Sequence, residues 1–335
     1  MVILREGMCP GLDEDLLRSL RAADVRTVED LVSSDTEELA QKCSVSYKAL
    51  FAIRRVLLAQ HTAFPVSGAD LYEELLSSTA ILSTGNPSLD KLLDSGLFTG
   101  EITELSGGPG SGKSQVCFGA AVHISHHLKQ SVIYIDTTGG LTARRLLQML
   151  QSETTNADEQ MEALQRIRVF RLFDVYALLD CLYGLYGGGL QQASVGGGSV
   201  KAVIVDSVSA VISPLLGGKF LSEGMSLMMQ VAGVLKTLAK DFSVAALVTN
   251  HVTRSGSGAV QPGLGVSWSH VPRTRILLER VETAPPARCS SLRSATLIKS
   301  SRQPCYVKEE FDLRWWSRAE RGASRKRTRD QTESS

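Results

Sequence analysis

Apolar residues recur at helical spacing through the first sixty positions: Leu16, Leu17 and Leu20, then Leu31 and Val32. Asp13 stands where a first helix would be capped. Ser34 or Asp35 stands where a later helix carrying Glu37, Glu38 and Leu39 would begin. A further helix is expected from Ser46 to Gln60, with Leu50, Ile53, Val56 and Leu57 on one face. Residues 1–60 therefore read as a small all-helical domain.

From residue 61 to 82 the pattern changes. Phe64-Pro65-Val66-Ser67-Gly68-Ala69 is extended and turn-rich, and a short helix is expected from Asp70, so this stretch reads as a linker. From Ile81 onward, apolar runs alternate with helical patterns. The strand-like runs are Ile102-Thr103-Glu104-Leu105, Ser131 to Asp136, Ile167 to Arg171, Val200 to Asp206 and Val244 to Thr249. Strands separated by helices predict an α/β domain with a mainly parallel sheet, spanning 83–316. The glycine-rich stretch from Gly187 to Ser199 reads as a surface loop. Past Trp316 the chain turns polar, and Arg325-Lys326-Arg327-Thr328-Arg329 sits in an expected disordered tail, residues 317–335. That basic cluster reads as a nuclear import signal, a DNA-touching arm or a merely solvated tail.

Composition narrows the field without naming a chemistry. A formal net charge of +1 supplies no global attraction to nucleic acid or an acidic membrane, so any such contact must be local. The six cysteines form no C-x-x-C pair, which argues against a zinc site or a disulfide framework and for reduced thiols inside a cell. Charge enters too early at the N-terminus for a signal peptide. The best apolar run, Ala202 to Ile212, is short for a membrane span and is broken by Asp206. A protein that stays in solution inside the cell is expected.

The strongest chemical signal is Gly107-Gly108-Pro109-Gly110-Ser111-Gly112-Lys113-Ser114, a full G-x-x-x-x-G-K-S match between an expected strand and an expected helix. Its glycines let backbone N–H groups close around phosphates at the positive end of the helix. Lys113 is expected on the β- and γ-phosphates and Ser114 on Mg²⁺. Val203-Ile204-Val205-Asp206 adds an apolar strand ending in a carboxylate, suited to the same metal shell. No N-K-x-D motif for guanine is present, and Leu105-Ser106-Gly107-Gly108 imitates an ABC signature only by overlapping the phosphate loop. No arginine-rich lid of a small-molecule kinase follows the core. The RecA-like branch of ATP-binding proteins remains.

Taken together, several blocks resemble the eukaryotic and archaeal RecA-like recombinases, in their paralogue branch. They are Ile81 to Gly100, the P-loop, Tyr134-Ile135-Asp136-Thr137, Asp206-Ser207, Ser213-Pro214-Leu215-Leu216-Gly217-Gly218, Thr249-Asn250-His251 and Lys299-Ser300-Ser301-Arg302-Gln303-Pro304. The resemblance covers nearly the whole chain. It implies a RecA-like P-loop ATPase core behind a small helical domain, with ATP and Mg²⁺ as cofactors. By the same resemblance Arg145 stacks on adenine. His251 occupies the place of a glutamine that senses the γ-phosphate, and His270 ties a DNA loop to the nucleotide. Thr138 stands where the family carries a glutamate that orients the attacking water, so a slow, DNA-dependent ATPase is implied. Asp136 is the nearest carboxylate that could substitute. For either histidine the alternative is a loop imidazole without a task.

The turn Cys43-Ser44-Val45-Ser46 resembles a helix-hairpin-helix, a module that sits on DNA backbone, although the hairpin glycine is absent and a plain helical bundle fits equally. The DNA loops implied for the core are Ser213 to Ser222 and Arg254 to Ser269. Lys219 and Arg254 are their main charges, so weak DNA binding by the core is expected. Trp268 reads as a base-stacking residue or as a buried anchor. Arg18, Arg21, Arg26, Lys42, Lys48, Arg54 and Arg55 favour single-stranded DNA contact through the N-terminal domain, with a solvated helical face as the competing account. Where the recombinases polymerise through F-x-x-A, this chain has Val66-Ser67-Gly68-Ala69. Val66 and Ala69 are therefore expected to dock other recombinase paralogues in a heteromeric complex rather than build a self-filament. The resemblance implies a nuclear protein that assists the main recombinase filament in homologous-recombination repair and telomere maintenance. A hexameric helicase and a structural adaptor with a vestigial nucleotide site are the rival functions.

Overall fold

The protein is described here by a computed structural model that covers residues 2–61, 67–193, 198–254, 260–281 and 290–317. The chain divides into two compact units, Met1–Ser78 with Leu185–Gly187, and a second starting at Thr79. The basic tail, Val66 and Cys289 lie outside the described residues.

The first unit contains α1 (Glu14–Ala22), α2 (Val28–Ser33), α3 (Thr36–Lys42), α4 (Tyr47–His61) and α5 (Gly68–Ser78). Local chemistry starts each of the first three. Asp13 accepts from the Leu16 amide, Thr27 and Asp30 form a reciprocal capping box, and Asp35 accepts from the Glu37 and Glu38 amides. Leu16, Leu17, Leu20, Leu31, Leu39, Leu50, Ile53 and Leu57 share one core. Val56, expected on the buried face of α4, is 37% exposed because its neighbours Ile53 and Leu57 take the inward positions.

The second unit opens with the small hairpin β1 (Ile81–Leu82) and β2 (Leu97–Phe98), which flank α6 (Pro87–Leu92). Then follow β3 (Ile102–Gly107), α7 (Lys113–His126), β4 (Ser131–Asp136), α8 (Ala143–Glu153), α9 (Ala157–Gln165), β5 (Ile167–Arg171) and α10 (Val175–Gly184). After them come α11 (Leu190–Gln192), β6 (Val200–Asp206), α12 (Val208–Ile212), α13 (Leu221–Asp241) and β7 (Ala245–Asn250). The chain continues through β8 (Val252–Arg254), β9 (Val260–Pro262), α14 (Gly265–Ser269), β10 (Thr274–Arg280), β11 (Leu292–Lys299) and β12 (Lys308–Asp312).

Eight strands form the main sheet in the order β12-β11-β10-β3-β7-β6-β4-β5. β5, β4, β6, β7, β3 and β10 run parallel, while β11 and β12 are antiparallel additions at one edge. The five strands read from the sequence are all present. β10, β11 and β12 had no expectation, because Leu292–Lys299 and Lys308–Asp312 mix charged and apolar positions as edge strands do. The glycine-rich stretch is not simply a loop. Leu185–Gly189 forms a π-helical turn and Leu190–Gln192 a helical one, while 194–197 lie outside the described residues.

β3, β4, β6 and β7 are buried along their length, and α7 packs against them through Val116, Phe118, Ala120, Ala121 and Ile124. The segment after β12 returns to this helix. Trp316 is 1% exposed against Gly119, and its indole N–H donates to the Thr84 carbonyl at 3.2 Å. The central parallel strands therefore end together at one edge of a rigid core, which is where an α/β sheet places its ligand site.

Candidate nucleotide-binding site

β3 ends in the P-loop, and α7 starts at Lys113. Gly112, the residue before the helix, has φ +101°, and Gly110 has φ +71°, conformations that a side chain would strain. At Gly107 an added Cβ would lie 2.5 Å from the Leu278 carbonyl oxygen. The loop is thus packed tightly from outside. No side chain caps the α7 N-terminus, so its first amides face the loop's concavity. Lys113 is buried, and its ammonium donates to the carbonyls of Gly107 (2.7 Å) and Gly108 (3.1 Å). Burial lowers the Lys113 pKa, while the nearby Asp206 carboxylate acts to raise it.

The neighbouring strands complete the depression. Pro109, Gly110, Gly112, Lys113, Ser114, Gln115, Thr138, Asp206, Ser207, His251, Arg293 and Leu313 line a space of about 380 Å³. Asp206 ends β6, where the Tyr134 hydroxyl donates to Oδ2 at 3.0 Å and the Thr249 hydroxyl to Oδ1 at 2.6 Å. These two donors fix the carboxylate's rotamer from β4 and β7. The Asp206–Ser207 peptide bond is cis. His251 follows β7, and its backbone N–H donates to Ser209 Oγ at 3.0 Å. Partial desolvation first, and Lys113 second, lower its imidazole pKa from the ordinary histidine value, although the residue is exposed, which favours the neutral ring at pH 7.

Asp136 was the nearest substitute for the expected glutamate, and the structure assigns it another task. Its Oδ1 accepts from the Thr138 N–H, the Thr138 hydroxyl, the Gly139 N–H and the Gly140 N–H, and its Oδ2 accepts from the Leu141 N–H. The carboxylate folds the turn after β4 and is 1% exposed. A base so enclosed has no lone pair directed at an incoming water.

The donor set suits a nucleoside triphosphate with Mg²⁺. Mg²⁺ in such sites takes one or two protein oxygens and completes its octahedron with phosphate and water. Ser114 and Asp206, which line the same depression, are the oxygens that could hold it here. Among the described residues no group of three or more His, Cys, Asp or Glu forms a denser metal site.

Gln115, which lines the depression, accepts from the Arg145 Nε at 2.9 Å, which sets the guanidinium beside the P-loop helix. Arg293 and Leu313 were not foreseen from the sequence. Arg293 reaches in from β11 and donates Nε to the Gly110 carbonyl at 3.2 Å. Leu313 follows β12 and covers Gly112. Both arrive through the antiparallel edge, some 180 residues or more beyond the loop they touch, so no local motif marks them.

The expected DNA contacts fare unevenly. Lys219 is exposed on a 3-10 turn, Gly218–Phe220. The segment Ser213 to Ser222 is two such turns running into α13, not an irregular loop. Arg254 ends β8, and its side chain lies outside the described residues. Trp268 presents no face to a base. It is fully buried, and its indole N–H donates to Glu104 Oε2 at 3.1 Å. Glu104 also accepts from Arg275 (2.9 Å) and from the Asn250 amide (2.9 Å), so Trp268 is an anchor in a buried polar cluster. His270 is exposed, but it precedes β10 and so lies at the N-terminal end of the parallel strands. There it lines a separate depression of about 450 Å³ with Lys236, Lys240, Arg273 and Lys299, away from this chain's own P-loop. In the N-terminal unit, Arg54 turns back on the domain, with Nη1 donating to Thr36 Oγ1 at 2.8 Å, whereas Arg55 is exposed. Ala69 is exposed in the first turn of α5.

Comparison with known proteins supplies the family. Residues 1–60 match the model described as RAD51D, N-terminal domain, and residues 76–279 match the Rad51 model. The chain is 56% identical over 314 residues to DNA repair protein RAD51 homolog 4 of Bos taurus, covering 93% of this chain and 95% of that one. It is 24% identical over 340 residues to the probable DNA repair protein RAD51 homolog 4 of Dictyostelium discoideum, covering 91% and 94% of the two chains. It is 26% identical over 283 residues to the DNA repair and recombination protein RadA of Aeropyrum pernix, covering 81% and 85%. A P-loop closing β3, an Asp206 carboxylate beside it and these matches over both units lead to one conclusion: the chain belongs to the Rad51 family of RecA-like proteins, in its RAD51D branch.

Proposed function

We propose that this protein is a recombinase-paralogue subunit that binds ATP·Mg²⁺ and single-stranded DNA and assists homologous-recombination repair in the nucleus. The observation that carries the reading is the convergence of Lys113, Ser114, Asp206 and His251 on one depression at the mouth of α7. Lys113 and the α7 amides hold the phosphates. Ser114 and Asp206 would hold Mg²⁺, which would supply positive charge against the phosphates. Arg145 and Gln115 flank the base, and neutral His251 faces the terminal phosphate as a hydrogen-bonding group rather than a cation. Relatives named as DNA repair proteins support the repair role.

With Asp136 occupied and Thr138 in place of a general base, ATP serves chiefly as an assembly and conformational ligand. This favours a gated adaptor over a motor. The subunit then works in a heteromeric complex with other recombinase paralogues, docking through the Val66–Ala69 segment, and that complex supports the main recombinase filament. The test is titration of the purified protein with a fluorescent ATP analogue, with and without Mg²⁺. Mg²⁺-dependent saturation at one site supports the reading; no binding in either buffer overturns it.

A further inference from the structure

The N-terminal unit carries one helix whose surface chemistry differs from its neighbours. α4, Tyr47–His61, contains Lys48, Arg54, Arg55 and His61 and no aspartate or glutamate. Three other cations of the unit are matched locally. Arg18 pairs with Glu14 and Asp15, Arg26 with Asp24, and Lys42 with Glu38. Lys48 and Arg55 are exposed and have no acidic partner among the described residues. Two exposed aromatic rings share this stretch, Tyr47 just before Lys48 and Phe51 between Lys48 and Arg55. Tyr47 is 46% and Phe51 43% exposed, with centroids 5.9 Å apart and planes inclined by only 19°.

The spacing follows from the helix. Tyr47, Phe51 and Arg55 are four residues apart and share one stripe, with Lys48 three residues before Phe51 on the same face. Lys48 and Arg55 are therefore separated by about 10 Å along the axis, with Phe51 between them and Tyr47 one residue before Lys48. Both rings lie outside the domain's own core, whose α4 members are Leu50, Ile53 and Leu57. Ring area left in water is costly unless something covers it.

We propose that Tyr47 and Phe51 form a base-stacking platform for single-stranded nucleic acid, with Lys48 and Arg55 taking the flanking phosphates. The inference rests on the DNA-binding reading above and gives it a place and a mode. A near-parallel aromatic pair with an unmatched cation close to each ring complements a strand that offers π-faces and phosphates in alternation. A duplex satisfies it poorly, because its base faces are already stacked on one another. Beside Tyr47, Glu37, Gln41 and Ser44 line a depression of about 430 Å³ that holds hydrogen-bonding groups and no cation. A base edge fits that chemistry and a phosphate does not.

The test uses the full chain and fluorescein-labelled oligothymidine, read by anisotropy over a salt series. Circular-dichroism melts check that each variant is folded. Phe51→Ala and Tyr47→Ala each weaken binding by about tenfold, the loss of one stacked base, with the salt dependence unchanged. Phe51→Tyr keeps affinity within about twofold, because a π-face remains. Lys48→Ala with Arg55→Ala lowers the log–log salt slope by about 1.4, two single-strand phosphate contacts. Folded Phe51→Ala and Tyr47→Ala proteins that bind as tightly as wild type overturn the platform alone. A wild type that binds no oligothymidine at low salt overturns both the platform and the DNA-binding reading.

Discussion

The Thr138 hydroxyl donates to Asp136 Oδ1 at 3.2 Å, at the place where a RecA-like recombinase would carry its catalytic glutamate. The pair is a turn-forming unit, since the same carboxylate oxygen also takes three backbone N–H groups. Neither member offers a base to an attacking water: Thr138 carries no carboxylate, and the Asp136 oxygens are taken up by the turn. Loss of one positioned general base costs about 10²–10⁴-fold in rate. Single-turnover hydrolysis by the isolated subunit is therefore expected to be slow by that factor relative to a recombinase that has the glutamate. Thr138→Glu should raise the rate in the presence of single-stranded DNA. Recombinase-like turnover in the wild type, or a fall in the variant, would place the chemistry elsewhere.

Lys113 contributes its charge to the loop and little to the apolar core, since its ammonium is held only by the Gly107 and Gly108 carbonyls. Lys113→Ala should keep the thermal melt close to wild type. A hydrogen bond to a charged group is worth about 1.5–3 kcal/mol, so affinity for a fluorescent ATP analogue should fall by at least about tenfold. Unchanged affinity in the folded variant would remove Lys113 from the site.

Glu104 is the shared acceptor of Arg275, Trp268 and Asn250 and is fully buried, with the Arg275 side chain only 6% exposed. Glu104→Leu leaves that guanidinium buried without its counter-charge. The expected cost is about 3–5 kcal/mol, measured as a lower urea midpoint. Arg275→Leu made together with Glu104→Leu should recover part of it, because the uncompensated charge is then gone.

Gly119 lies under Trp316, and an added Cβ would fall 2.2 Å from the indole ring. Gly119→Ala should destabilise by about 1–3 kcal/mol, the usual range for overpacking, and lower the melting temperature. The variant Gly119→Ala with Trp316→Phe, which shortens the opposing ring, should recover stability relative to Gly119→Ala alone if the clash is the cause.

The thiols should separate by reactivity. Cys305 is exposed, whereas Cys117 is buried and burial pushes its pKa well above the ordinary thiol value. Burial first, and Asp180 second, raise Cys181 to about 11, so at pH 8 it is almost wholly protonated. Its thiolate fraction, and so its alkylation, should rise about tenfold per pH unit up to that value. Peptide mapping after timed iodoacetamide treatment should show Cys305 labelled before Cys181 at pH 8, with the gap narrowing towards pH 10. Equal labelling at pH 8 would contradict the burial of Cys181.

Local chemistry determined much of this protein by itself. Asp13 and Asp35 cap their helices because a short acceptor beside free amides needs no distant partner. The G-x-x-x-x-G-K-S loop forms at a strand–helix junction because its glycines allow positive φ where the chain must turn. The parallel strands β3, β4, β6 and β7 were legible because burial on both faces demands unbroken apolar runs. Tertiary structure alone decided the rest. It brought Arg293 and Leu313 to the P-loop through an antiparallel edge, buried Trp268 on Glu104, set His270 at the far end of the strands, and filled Asp136 with backbone donors. Each of these depends on which strand lies beside which. That order is settled by packing between residues far apart in the chain, and no local periodicity encodes it.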